Sequence, residues 1–420
     1  MTSPVFLSPE QAFTLRAQYG TPLYIYDEKT LSAQADQVLS FPNAFGLTGR
    51  YAMKALPSAA ILRLFHRKGL HIDASSGFEV ERAWKAGIPS ANIMLTAQEI
   101  PSNLKELVNS GCLYNACSLH QLEIFGQLFP GREVSIRINP GLGSGHSNRT
   151  NVGGPSSSFG IWHEHTDRAL AIARKHNVKI TMMHTHFGSG ADPEVWMNCA
   201  RLALRIAAKL PDVQRLSLGG GFKVARVESE KGADLQEIGK HLLPAFQQFA
   251  QEQGRRLHLE IEPGTFLVAH GGALLVSVID IVDTGDGGYR FIKTDGGMTE
   301  ILRPSLYGAQ HPITLMPSTE RAKEKADYLV VGHCCESGDI LTPEPGNPEG
   351  LLPRSFVRPE IGDLLFVGGA GAYCSGMPAK NYNSFPEAAE VLINASGKAT
   401  LIRRRQTLDQ MIQNEIAEDE

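Results

Sequence analysis

Short apolar runs recur along the first two thirds of the chain. They stand at 50–55 (RYAMKA), 71–75 (HIDAS), 92–97 (NIMLTA), 113–118 (LYNACS), 133–139 (EVSIRIN), 180–187 (ITMMHTHF), 215–221 (RLSLGGG) and 257–264 (LHLEIEPG). Each reads as a buried strand. Between them the apolar positions change period. Ile61, Leu64 and Phe65 stand at i, i+3, i+4, and Leu104, Leu107 and Val108 repeat the spacing, which predicts helices. Pro57 and Pro101 precede these stretches and Gly69 and Gly111 follow them, in keeping with helix start and stop signals.

Eight strands with seven intervening helical or loop-plus-helix segments predict an α/β architecture, a (β/α)8 TIM barrel of the usual size, roughly 250 residues. The alternative is an open doubly wound sheet. The unusual residues decide between them. Lys54, Asp73, His186, Gly219–Gly221 and Glu262–Gly264 all fall at the C-terminal ends of different strands. A barrel collects those ends into one mouth, where its active site forms, whereas an open sheet would scatter several of them. After about residue 270 the texture turns β-rich, with GALLVSVIDIVDT, YRFIKTDG, KADYLVVGH, GDLLFVGG, AEVLI and ATLIRR. This predicts a separate C-terminal all-β domain. The early strand TPLYIYD (21–27) is expected to pair into it. The expected domains are therefore 28–270 for the barrel, and 1–27 with 271–420 for a discontinuous β domain.

Composition narrows the function classes. The 420 residues are 42% hydrophobic and 20% charged, and 40 Lys plus Arg against 44 Asp plus Glu leave a net charge of −4. That balance supplies neither the basic footprint of a nucleic-acid binder nor a polybasic face for lipid. The longest apolar run, 267–282, carries Gly, His and Asp and is too short to span a bilayer. The opening MTSPVFLSPEQAF shows no secretory pattern, and six cysteines are too sparse for a disulfide framework, so a cytoplasmic location is expected.

Several residues carry candidate chemistry. Lys54 ends a strand at the barrel mouth, where desolvation would favour an amine able to form a Schiff base. Gly219–Gly221 and Glu262-Pro263-Gly264 end the last two barrel strands, whose loops in such barrels commonly hold phosphate on bare backbone N–H groups. His186-Phe187-Gly188-Ser189-Gly190 adds further donors after the sixth strand. In the β domain, GHCCESGD (332–339) carries adjacent cysteines whose side chains point to opposite faces of an extended chain. With no CxxC partner elsewhere, they read as a pair of buried thiols or as one thiol acting as proton donor with Glu336 beside it, not as a metal site. LRPSLYG (302–308) and GAYCSGM (371–377) offer Arg and Tyr groups for carboxylate or phosphate. The Gly-rich 141–147 is neither a P-loop nor a dinucleotide fingerprint.

Together these motifs resemble the fold-type III family of pyridoxal-phosphate-dependent amino-acid decarboxylases, over nearly the whole chain from TPLYIYD to LIRRRQT. The resemblance implies an alanine-racemase-like barrel, pyridoxal 5′-phosphate as cofactor, and a homodimer whose active sites are shared between subunits. It implies that Lys54 carries the cofactor, that His186 stacks on its ring, and that Ser189, Gly219, Gly220, Gly221 and Gly264 hold its phosphate. Glu262 would keep the ring nitrogen protonated. Tyr373 would contact cofactor and substrate. Cys335 would be the proton donor, and Glu336 would grip the substrate's distal amine, both from the partner subunit. Arg303 and Tyr307 would hold its distal carboxylate. Glu336, where ornithine-type relatives have Asp, favours the branch that converts meso-diaminopimelate to L-lysine and CO2.

Three departures stand out. The family's EPGR reads EPGT, with Thr265 where an arginine serves substrate and phosphate; its D-T-G-A-Y reads Gly369-Ala370-Gly371-Ala372-Tyr373; and Ser157-Ser158 replaces a serine–lysine pair. Thr265 predicts weaker binding of substrate or cofactor unless a nearby basic group compensates. The alternatives are a decarboxylase for a carboxylated polyamine or siderophore precursor, a racemase, or a catalytically silent homologue that binds a protein partner. The Cys-Glu pair argues against a racemase, and retained Lys54 and Cys335 argue against silence.

Overall fold

The computed structural model describes residues 3–142, 153–321 and 324–416. The Gly-rich 141–147 therefore lies mostly outside the described residues. Two compact units emerge. One comprises Ser32–Val224 and Lys231–Leu267; the other takes the chain up to Leu31, the excursion Ala225–Glu230 and the chain from Val268 onward.

The first unit is a closed parallel barrel. Its strands are β2 (Leu47–Ala52), β3 (His71–Ala74), β4 (Ile93–Leu95), β5 (Leu113–Ala116), β6 (Glu133–Asn139), β8 (Lys179–Thr185), β9 (Arg215–Ser217) and β10 (His258–Ile261). Neighbours pair in that order, and β10 pairs back to β2, so no edge remains. The two-residue β7 (Ile161–Trp162) only extends the end of β6. Helices follow most strands for local reasons. In Ala59–Lys68, Ile61, Leu62, Leu64 and Phe65 form one buried stripe, and left-handed Gly69 ends the helix. The hydroxyls of Ser76 and Ser118 accept from backbone N–H groups of Glu79 and Gln121 and so start the next helices.

The interior of this barrel is more polar than its apolar strands suggest. Arg50 on β2 and Glu260 on β10 are fully buried and joined Nε to Oε2 at 2.7 Å, with Arg215 of β9 on the second oxygen. Further toward the C-terminal ends, Asp73, Asn115, Ser135, His184 and Ser217 are all buried.

The second unit is built on a nine-stranded sheet. Its strands are β1 (Leu23–Asp27), β11 (Gly272–Asp283), β12 (Arg290–Thr294), β13 (Ile313–Met316), β14 (Lys325–Val331), β17 (Arg354–Val357), β18 (Leu364–Val367), β19 (Ala389–Ile393) and β20 (Ala399–Arg403). β15 (Pro343–Glu344) and β16 (Asn347–Leu351) form a small separate ribbon. β1 lies between β11, antiparallel, and β19, parallel, with Ile25 opposite both Ala273 and Val391. Leu23, Ile25, Leu275, Phe366 and Val391 form its core with Leu7 and Leu15. Among the described residues no helix is long and apolar enough to cross a membrane.

Candidate active site

Eight strand ends converge at one mouth of the barrel. Lys54 sits two residues past β2, in a 3₁₀ turn spanning Met53–Ala55, and its side chain is exposed. The expectation that burial tunes this amine is thus corrected: the turn lifts Lys54 clear of the apolar strand. Its charge still reaches the interior, where it acts on Asp73 and His186.

Glu262 follows β10 directly and is 7% exposed. Ser217 Oγ donates to its Oε1 at 2.7 Å, and His184 Nε2 lies 3.0 Å from its Oε2, off the line of a hydrogen bond. His184 is itself held from across the barrel. Asn115 Nδ2 donates to His184 Nδ1 at 3.1 Å, and Ser135 Oγ donates to Asn115 Oδ1 at 2.9 Å. β6 separates β5 from β8 in the wall, so the Asn115–His184 contact spans the interior. Because Asn115 donates to Nδ1, the ring proton is left on Nε2, facing Glu262.

This wiring sets the charge of two carboxyls. Burial disfavours ionisation of Glu262, yet the His184 ring and the Ser217 hydroxyl outweigh it and hold the carboxyl well below its usual range. Burial, reinforced by the Glu262 carboxylate, pushes Asp73 up to about 8, with the Lys54 charge pulling the other way. At neutral pH the pair carries one charge, on Glu262, and Asp73 keeps its proton. The His186 ring is partly exposed but its Nδ1 is buried without a partner. Burial, then Arg137 and other neighbours that include Lys54, hold this imidazole well below its usual range.

The glycines bring three loops into main-chain contact. Gly219 N–H is satisfied by Ser217 Oγ at 3.2 Å, Glu262 N–H by Gly219 O at 2.8 Å, and Gly190 N–H by Gly221 O at 2.9 Å. A Cβ on Gly220 would run into the Glu262 carbonyl, and one on left-handed Gly221 into the Gly188 carbonyl. Gly264 packs tightly on Ala52 and Ala55, beside the Lys54 turn, and a Cβ there would come within 3.3 Å of both side chains. Ser189 lies in the loop after β8, and half-buried Thr265 opens the short turn Thr265–Val268. The barrel thus collects Lys54, His186, Ser189, Gly219–Gly221, Glu262, Gly264 and Thr265. A carboxylate held ionised, a neutral imidazole and loops that meet through bare backbone fit a phosphorylated pyridine ring and its carbonyl.

The remaining predicted residues lie in the second unit: Arg303 and Tyr307 on the turn Arg303–Tyr307, Cys335 and Glu336 after β14, and Tyr373 after β18. Tyr373 has a left-handed backbone (φ 56). The reading of 334 and 335 as a pair of buried thiols is corrected. Cys334 is half-buried, its thiol pushed up to about 12 by burial and then Asp339, while Cys335 is exposed. The two backbone N–H groups are clipped in different directions, Cys334 N–H to Asp339 Oδ2 and Cys335 N–H to Asn383 Oδ1, both 2.9 Å.

Residues 32–269 match the family model described as pyridoxal-dependent decarboxylase, pyridoxal binding domain. The chain belongs to the pyridoxal-dependent decarboxylases. Within the family it is 36% identical to the diaminopimelate decarboxylase of Streptomyces coelicolor, over 95% of this chain and 90% of that one. It is 35% identical to that of Escherichia coli K12, over 98% and 97%. A crystal structure of diaminopimelate decarboxylase superposes with a TM-score of 0.91 at 32% identity, covering both chains fully. The Helicobacter pylori enzyme complexed with L-lysine gives 0.84 at 27% identity, over 96% of this chain and 98% of that one. The family's cofactor is the pyridoxal group that the barrel residues fit.

Asn115, Ser135, His184 and Ser217, which set the charge at the mouth, escaped sequence reasoning as functional residues. The available signal was polar residues inside otherwise apolar strands, as in LYNA, EVSIRIN, KITMMHT and RLS.

Proposed function

We propose that this chain decarboxylates meso-diaminopimelate to L-lysine and CO2, as a cytoplasmic homodimer in which each active site takes Cys335 and Glu336 from the partner subunit. The observation that carries the chemistry is buried Glu262, bound by Ser217 Oγ at 2.7 Å with His184 3.0 Å away and so held ionised, because an ionised carboxylate there would keep a ring nitrogen protonated. The substrate follows from relatives of 35–36% identity over nearly full length that bear that name.

The chemistry the cofactor supplies when bound is an electron sink for the pair that CO2 leaves behind. Lys54 would supply the amine that anchors it. Glu262 holds the proton on the ring nitrogen. His186, uncharged, offers the ring a face without opposing its positive charge. Ser189, Gly220, Gly221 and Gly264 would bind phosphate oxygens, and Gly219, whose N–H Ser217 takes, would shape the turn that presents them. Cys335 Sγ delivers a proton to the α-carbon. Glu336 binds the distal ammonium, Arg303 and Tyr307 bind the distal carboxylate, and Tyr373 touches both cofactor and substrate.

The test is to incubate the protein with pyridoxal 5′-phosphate and meso-diaminopimelate, L-lysine or L-ornithine, and to measure CO2 and amine products. Release of CO2 with L-lysine from meso-diaminopimelate is expected. Turnover of another amino acid, with none of diaminopimelate, would overturn the substrate. The shared site is tested by mixing inactive Lys54→Ala and Cys335→Ala chains. Recovery of activity through mixed dimers is expected, and none despite proven subunit exchange would sink it.

A further inference from the structure

Among its described residues, the second unit buries positive charge that no carboxylate pairs with directly. Arg226, on the excursion Ala225–Glu230, is 6% exposed, and its Nε donates to the Gly369 carbonyl at 3.0 Å while Nη2 has no partner. Arg303 Nε is likewise buried without a partner. His311, fully buried, gives Nδ1–H to the Gly368 carbonyl at 3.0 Å, and its Nε2 is unpaired too. Arg226 and His311 therefore rest on consecutive carbonyls, 369 and 368.

These groups also act on one another electrostatically. Burial, then the charges of Arg226 and Arg303, hold His311 well below its usual range. Burial and then Arg303 push Arg226 down to about 9. Glu230, the carboxylate that acts on Arg226, gives an oxygen to Arg226's own backbone N–H at 2.8 Å. The buried Cys374 thiol feels both guanidinium groups. Gly369 makes the room. It stands where the family motif has Asp, its backbone is left-handed (φ +66), and a Cβ there would come 3.1 Å from Arg226 Cγ and Cδ. Replacing the motif's acid by glycine thus admits an arginine and removes a counter-charge in one change. A buried guanidinium is costly unless an anion pairs with it, so this cluster is built for an anionic ligand.

We propose that Arg226 is a specificity-determining residue that joins Arg303 in binding the substrate carboxylate that the reaction retains. The inference rests on the decarboxylase reading. The retained carboxylate is favoured because Arg303, which the family resemblance assigns to it, is the cation that acts on Arg226. With Thr265 lacking a charge, Arg226 supplies the second cation that an EPGR arginine gives elsewhere.

The test titrates the holoenzyme with L-lysine, which keeps that carboxylate, and with 1,5-diaminopentane, which lacks it. Wild type should prefer L-lysine. Arg226→Gln should weaken L-lysine at least about tenfold and leave the diamine within about twofold, and Arg226→Lys should recover part of the preference. Arg226→Met, uncharged, is the second variant should the glutamine form not fold, and the same ratio is read from it. Equal loss for both ligands, or loss for neither, would overturn the proposal. So would a fall in pyridoxal 5′-phosphate affinity with the L-lysine preference intact, which would assign the anion to the phosphate. If wild type releases no CO2 from meso-diaminopimelate, the decarboxylase reading fails instead, and the ligand ratio still decides on Arg226.

Discussion

The barrel mouth and the buried face of the β unit solve opposite electrostatic problems. In the barrel two carboxyls lie close together, and the structure relieves them internally: His184 and Ser217 take one charge and a proton cancels the other. In the β unit, Arg226 and Arg303 lie near a neutral His311, and each keeps a nitrogen without a partner. A region that balances its own charges is set for a fixed resident, here the ring of a cofactor. A region left short of an anion waits for something that comes and goes.

The contrast is broken most severely at Lys54. Lys54→Ala removes the anchoring amine and should cut turnover on the order of 10⁴-fold or more. It should also abolish the absorbance of covalently held pyridoxal phosphate, with the protein still folded by circular dichroism. Borohydride reduction and peptide mapping should place the label on Lys54. Label on another lysine would reassign the site.

Next in size is the pair of cysteines. Cys335→Ala should lower turnover about 10²–10⁴-fold, the range for losing a general acid, while Cys334→Ala should leave it nearly unchanged. Alkylation of the native protein followed by mass spectrometry should modify exposed Cys335 and spare Cys334, whose thiol is pushed up to about 12. Equal labelling would erase the distinction that the two backbone clips create.

The barrel's own balance can be sharpened through stability. The folded Asp73 carboxyl titrates near 8, against 3.8 for an ordinary one. Below about pH 4 folded and unfolded chains both hold its proton and the site costs nothing extra. Between about 4 and 8 only the folded chain keeps it, so stability falls as pH rises through that window and levels off above it. Asp73→Asn cannot titrate. In cofactor-free protein it should therefore melt higher than wild type by a few degrees at pH 8, where 1 kcal/mol is roughly 2–4 °C, and by less at pH 5. A constant difference across that range would mean that Asp73 is ionised throughout.

How much of this was legible in the sequence depends on whether a residue's role is local. The strands were, because period and glycine punctuation are local signals; RYAMKA and β2 overlap at Arg50–Ala52. Their ends were not, since hydrophobicity runs on into the turn that carries Lys54 and past β9 into Gly219–Gly221. The Asn115–His184–Glu262 chain joins residues 69 and then 78 positions apart across the barrel, so only closure of the sheet reveals it. Arg226 gives even less warning. A lone arginine after KVA carries no motif, and its meaning arises from Gly369, which is 143 residues away.

The smallest expected effect is at Thr265, and it measures whether the two regions divide their charges as argued. Taken alone, exchanging a neutral hydroxyl for a guanidinium should improve binding of a carboxylate by about 1–2 kcal/mol, or roughly tenfold. Arg226 changes that expectation. If it already serves the retained carboxylate, a further cation has little unpaired negative charge left to meet, and Thr265→Arg should tighten L-lysine by less than about threefold. In an Arg226→Gln background the same substitution should recover most of the lost affinity. The double-mutant cycle then shows a coupling of about 1 kcal/mol or more between positions 226 and 265. Additive effects would mean that the two positions serve different groups. A full tenfold gain in the wild-type background would mean that EPGT is simply a weakened EPGR, with Arg226 outside the substrate's reach.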